Sequence, residues 1–138
     1  MKLGVDLTIA TPEDYKPSET VFDDIKKYVK SDIFWTINAR EAAEDADIVV
    51  TDTWISMGDP EYKDEESRKK KIEKFSPYQV NADLVAHAKK DYYFMHCLPA
   101  YRDFEVTPEV IDGPRSLIYP EAHNRLHAQK GVMALLMK

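Results

Sequence analysis

Cysteine is almost absent from this sequence: Cys97 stands alone among 138 residues. No disulfide can form within the chain, and a reducing compartment is its default setting. Long apolar runs are missing too, and none approaches the roughly 18–20 residues that span a bilayer. The opening Met1-Lys2-Leu3-Gly4 leads straight into a strand-like segment without a signal-peptide pattern, so the cytoplasm is the expected location. Positive charge is in deficit, with 19 Lys and Arg against 25 Asp and Glu and a net charge of −6. That balance argues against nucleic acid and against an anionic membrane as partners, because both need clustered cations. The one basic run, Arg68-Lys69-Lys70-Lys71, follows Asp64-Glu65-Glu66 and reads as a solvated helix face. Internal repeats, low-complexity tracts and interdomain linkers are not seen. What is present is the length and composition of one domain, 43% hydrophobic, with enough chain to bury a real core.

Strand and helix signals alternate along it. Gly4–Ala10 is rich in β-formers and ends at Thr11-Pro12. Pro17-Ser18 then opens a helix with Val21, Ile25, Tyr28 and Val29 on one face. Ile33–Thr36 is a short strand, and Asn38 caps an Ala-rich helix through Ala46. Ile48–Thr51 is a β-branched run of the type buried on both faces of a parallel sheet. A polar stretch from Asp52 to Glu66 reads mainly as loop, followed by a charged helix over Ser67–Phe75 and a helix capped by Asn81. Tyr92–Met95 is the next strand and Leu117–Tyr119 the last. Thr107-Pro108 starts a helix, with proline where no N–H is needed, and a final helix runs from about Glu121 to Met137. Such alternation predicts an α/β fold: a mostly parallel sheet with helices on both faces, in a Rossmann-like three-layer sandwich.

Ligands of such sheets bind beyond the carboxyl ends of the strands. Three segments fall there. Asp52-Thr53-Trp54-Ile55-Ser56-Met57-Gly58 joins a carboxylate suited to an ammonium group with backbone N–H groups suited to a carboxylate; turn chemistry alone would also explain it. His96-Cys97-Leu98-Pro99 puts a thiol at a strand end, where it can be nucleophile, proton acceptor or mere packing, and Pro99 turns the chain out of the sheet. Glu121-Ala122-His123-Asn124-Arg125 opens the last helix, whose N-terminus favours anions; Arg125 can clamp a carbonyl or phosphate oxygen or form a surface ion pair. His123 and His127 have a zinc-compatible spacing, but no third ligand is evident, so they read as helix-surface histidines.

Taken together with Tyr78-Gln79-Val80, the strings Asp52–Gly58, His96-Cys97-Leu98-Pro99-Ala100 and Pro120–Gln129 resemble the signature of the ornithine carbamoyltransferases. The likeness covers essentially the whole chain, in one order and at strand ends. The resemblance implies the C-terminal, ornithine-binding domain of a transferase that turns carbamoyl phosphate and L-ornithine into L-citrulline and phosphate, without cofactor or metal. Aspartate-using relatives carry proline where Cys97 stands, which favours ornithine. By the same likeness Asp52, Ser56 and Met57 would hold ornithine, with Cys97 beside the δ-amine. Backbone groups of Cys97 and Leu98 would meet the carbamoyl group, and Arg125 would help polarise its oxygen. An alkyl amine with a pKa near ~10.4 is mostly protonated at neutral pH, so a carboxylate or thiolate must take or orient its proton, and Cys97 is a plausible acceptor.

The resemblance also sets expectations about what this sequence does not contain. The family's N-terminal carbamoyl-phosphate domain has no counterpart in it, nor has the first strand–helix unit of the second domain. That strand would lie between Gly4–Ala10 and Ile48–Thr51, so those two are expected either to pair directly or to receive a strand from another chain. His123 stands where the family tends to carry an acidic residue. Val132, Met133, Leu135, Leu136 and Met137 exceed one helical stripe and predict an exposed apolar patch, with homo-oligomerisation or a complementary N-terminal domain as its cover. The competing expectation is a non-catalytic domain or fragment that binds an amino acid or a partner chain without turnover.

Overall fold

The computed structural model describes residues 4–26, 31–59 and 62–137. Four short strands organise them: β1 (Leu7–Ala10), β2 (Ile33–Thr36), β3 (Ile48–Thr51) and β4 (Tyr93–His96). Between and after them run α1 (Glu19–Lys26), α2 (Ala39–Ala43), α3 (Glu65–Phe75), α4 (Ala82–Val85), α5 (Pro108–Ile111) and α6 (Ile118–Leu136). All strand pairing is parallel, β1 with β2 and β3 with β4, as an α/β chain with helical crossovers requires. The architecture is Rossmann-like.

Local chemistry sets the helix starts. Asn38 accepts the N–H groups of Arg40 and Glu41, Asp64 that of Ser67, and Asn81 that of Leu84. Each such cap contributes about 1 kcal/mol. The α3 start at Glu65 lies two residues before the sequence-based bound. In α1 the described helix ends at Lys26; Tyr28 and Val29, expected on its apolar face, lie outside the described residues.

The core is asymmetric. Phe94, Val106, Ile111, Ile118, Val80 and Val110 are almost fully buried, together with Ala43 and Val49. Burying a side chain of the Phe or Ile type stabilises by roughly 1.5–3 kcal/mol, so this cluster fixes β4 against α5 and the start of α6. The expectation that Ile48–Thr51 is covered on both faces is corrected: Val49 is buried, but Ile48 is 50% and Val50 63% exposed. An unbroken apolar run fits two-sided burial, yet here only the face toward α2 and α4 has a covering layer.

Two further expectations change. Leu117–Tyr119 is not a strand, because Ile118 and Tyr119 already belong to α6; the sheet continues past β4 only as a single parallel bridge, Phe94 to Ser116. Pro120 sits in the first turn of α6, where its missing N–H leaves no helical bond unmade. Nor do β1 and β3 pair directly. The two pairs form separate two-stranded sheets. A cleft of about 460 Å³ is lined by Thr8 and Ala10 of β1 and by all four residues of β3. It also takes in Asp52, Trp54 and Tyr78.

Along α6, Leu126, Val132, Met133, Leu135 and Leu136 are all exposed, as the excess of apolar residues foretold. Among the described residues no helix is long and apolar enough to cross a membrane.

Candidate functional site

The register of β3 on β4 pairs Thr51 with His96, so the next residue of each strand, Asp52 and Cys97, leaves the sheet side by side. The Cys97 thiol donates to Asp52 Oδ1 at 3.1 Å, and the same carboxylate oxygen accepts the Thr53 N–H at 2.7 Å. Helix α6 brings the third group. Glu121 and Arg125 lie one turn apart on the face toward β4: Glu121 Oε2 accepts the His96 N–H at 3.0 Å, and Arg125 Nη1 donates to the Cys97 carbonyl at 3.2 Å. Carboxylate, thiol and guanidinium thus meet at one rim. Because α6 begins at Ile118 rather than near Glu121, Arg125 sits in its second turn and acts through its side chain, not through the positive end of the helix.

The electrostatics of the rim act on the Cys97 thiol. Burial pushes its thiol above the ordinary range, and the hydrogen bond to Asp52 and the charges of Asp52 and Glu121 push it further. Cys97 is therefore a thiol that donates, with the Asp52 carboxylate as its acceptor. A cation placed beside both would reverse part of this, since it favours the thiolate.

Leu98 adopts φ 58°, and the Leu98–Pro99 peptide is cis. A left-handed conformation at a non-glycine residue costs about 1–3 kcal/mol and persists only where surroundings impose it. The Leu98 N–H donates to His96 Nδ1 at 2.9 Å, and His96 is completely buried.

Ser56 and Met57 stand apart from this cluster. The Ser56 N–H donates to Asp59 Oδ2 at 2.9 Å, and the Asp59 N–H returns to the Ser56 carbonyl at 3.0 Å. Lys71 closes the turn with an ion pair to Asp59 at 3.0 Å, its side chain only 11% exposed. The Ser56 N–H, followed by Lys71, holds the Asp59 carboxyl below the usual range. Met57 is 78% exposed. The loop is closed on itself.

Several organising residues escaped the sequence reading. In the sequence Lys71 is one of four cations on a solvated helix face, and Asp59 lies within the polar loop from Asp52 to Glu66. Glu105, 1% exposed, gave one signal only: an acid flanked by Phe104 and Val106. Tyr78-Gln79-Val80 serves structure, with the Gln79 amide donating to the carbonyls of Asp103 and Phe104 and the Val80 N–H to that of Glu105.

Metal-ligating atoms do gather. Asp52, His96 and Cys97 each place one within 4.8 Å of the others, but His96 Nδ1 already accepts the Leu98 N–H and the other two groups bond each other. The exposed pair His123 and His127 approaches to 2.9 Å between Nε2 atoms, on the solvent side of α6.

The profile of the aspartate/ornithine carbamoyltransferase Asp/Orn-binding domain matches residues 1–136. The chain belongs to the aspartate/ornithine carbamoyltransferase family. The ornithine carbamoyltransferase of Caldicellulosiruptor saccharolyticus is 50% identical over 138 residues, covering 98% of this chain and 43% of that protein. A catabolic ornithine carbamoyltransferase from Thermoplasma volcanium is 49% identical, over 98% of this chain and 44% of its own length. Among solved structures, the ornithine carbamoyltransferase from Pyrococcus furiosus superimposes with a TM-score of 0.85 at 46% identity, covering 97% of this chain and 42% of that one. This carbamoyltransferase-family chain therefore spans less than half the length of the relatives it matches.

Proposed function

We propose that the chain carries the ornithine half-site of an ornithine carbamoyltransferase, which transfers the carbamoyl group of carbamoyl phosphate to L-ornithine. The observation that supports this reading is the meeting of Asp52, Cys97 and Arg125 at the carboxyl ends of β3 and β4. Asp52 engages an amine of ornithine, and Ser56 and Met57 contribute backbone groups once their turn opens. In the transfer, the neutral δ-nitrogen forms a bond to the carbamoyl carbon while the bond from that carbon to the phosphate oxygen breaks. The proton lost by the amine passes to the Asp52–Cys97 pair, and phosphate leaves. Arg125 turns from the Cys97 carbonyl to the carbamoyl oxygen, where negative charge develops. The backbone groups of Cys97 and Leu98 face the carbamoyl group.

Carbamoyl phosphate also needs cationic contacts for its phosphate, and Arg125 is one cation. Alone, the chain is expected to form citrulline at background rate. Mixed with a separately produced carbamoyl-phosphate-binding domain of a relative, it is expected to turn over, and colorimetric citrulline detection checks both. Robust turnover by the chain alone defeats the half-site reading; absence of turnover in the mixture, together with no ornithine binding by calorimetry, defeats the function and leaves the non-catalytic domain.

The apolar face of α6 supports association as part of the same reading, either between copies or with the complementary domain. Sedimentation velocity is expected to show a mass that rises with concentration. A strict monomer at high concentration excludes self-association through that face.

A further inference from the structure

One peptide unit, Cys97–Leu98, is gripped at both ends. Its carbonyl accepts Arg125 Nη1 at 3.2 Å on the side of the site, and its N–H donates to His96 Nδ1 at 2.9 Å on the side of the core. A ring nitrogen that accepts carries no proton, so the ring's proton sits on Nε2. That nitrogen lies 3.3 Å from Glu105 Oε1, in a contact between groups 0% and 1% exposed. The distance meets an ion-pair criterion, while Nε2 makes no aligned hydrogen bond; the contact is electrostatic, acting on the ring's N–H dipole. Glu105 is itself fixed. Its carboxylate also accepts the Tyr101 N–H, and its carbonyl accepts the Val80 N–H at 2.9 Å.

Burying an acid and an imidazole this completely is expensive in desolvation, and the contact between them offsets part of that cost only in one arrangement of the ring. What it specifies is the ring tautomer. Were the proton on Nδ1, that nitrogen would face the Leu98 N–H donor to donor, and the peptide would have to rotate. Its carbonyl would then swing out of line with Arg125.

We propose that Glu105 and His96 are positioning residues: Glu105 sets the His96 tautomer, and His96 thereby fixes the plane of the Cys97–Leu98 peptide that the site presents to the carbamoyl group. The consequence for catalysis rests on the function proposed above; the tautomer and the peptide plane do not. With its N–H occupied in the core, this peptide offers the site only an acceptor.

Nitrogen-15 NMR of the chain, unmodified and alone, reads the tautomer directly. A proton on Nε2 of His96 and a slowly exchanging Leu98 amide are expected; a proton on Nδ1 overturns the proposal without any variant. Glu105→Leu removes the acceptor, and Glu105→Gln keeps an oxygen there. The Leu98 amide is expected to exchange about tenfold faster in E105L, the factor one ordinary hydrogen bond sets, and at the native rate in E105Q. His96→Phe should release the same amide, and His96→Asn, whose side-chain oxygen can lie near the Nδ1 position, should protect it again. In the mixture with the carbamoyl-phosphate-binding domain, E105L is expected to lose about 10²-fold in kcat with KM for ornithine within a few-fold of native, as misplacement of a reacting contact does. If the native mixture turns over and E105L matches it, the positioning role falls while the function stands. If the native mixture is inactive, the function falls, and the tautomer and exchange results still decide the proposal.

Discussion

On the proposed function, Arg125→Ala is expected to lower kcat for citrulline formation, measured with the chain paired with a carbamoyl-phosphate-binding domain, by about 10²–10³-fold, the usual cost of one oxyanion donor. The expectation follows from reach. The guanidinium donates to the Cys97 carbonyl from one helical turn beyond Glu121, which itself holds the His96 N–H. A small rotation of an exposed side chain transfers it to an oxygen placed beside that carbonyl. The ornithine KM should change little, because the contact strengthens only as charge develops. Arg125→Lys should recover a part of the loss, since a point charge on a flexible stem lacks the fork geometry. A kcat within about fivefold of native in R125A would remove Arg125 from transition-state stabilisation.

Asp52→Asn has the second large effect, and it reaches two observables. Citrulline formation should fall by about 10²–10⁴-fold, as expected when a group that accepts a proton loses its charge. The thiol supplies a readout independent of turnover. Burial is the first cause of the raised Cys97 pKa, and the hydrogen bond to Asp52 and its charge come next. Removing the charge leaves burial and the charge of Glu121 in place and relieves the part due to Asp52, so the pH midpoint for alkylation of Cys97 by iodoacetamide is expected to move down. A midpoint that stays or rises contradicts the Asp52–Cys97 coupling. The sign carries over to stability: a thiol whose folded value lies above its unfolded one stabilises the fold at pH below the unfolded value. That contribution disappears as pH rises through the folded value. Alkaline destabilisation should accordingly be weaker in D52N than in the native chain.

How much was legible in the sequence varies by element, for identifiable reasons. Asn38 and Asn81 announced their helices because a cap is local chemistry, complete within three residues. The strands β2, β3 and β4 were legible from β-branched and aromatic runs of four residues. Leu117–Tyr119 misled for the same reason: three apolar β-formers carry no period that separates strand from helix. Here the buried Ile118 and the tolerance of Pro120 in a first turn decided for helix. Lys71 and Asp59 were invisible as a pair because twelve residues separate them and only the folded loop brings ammonium and carboxylate together.

The sequence by itself determined the alternation of strands and helices and the placing of Asp52 and Cys97 just past strand ends and of Arg125 on the last helix. These are matters of local pattern and residue type. Tertiary structure alone decided that the Cys97 thiol bonds the Asp52 carboxylate, that Ser56 is tied to Asp59, that β1 and β3 stay apart, and that His96 meets Glu105. Each of those depends on distances across the fold and on burial, and neither exists until separate stretches of chain pack against one another.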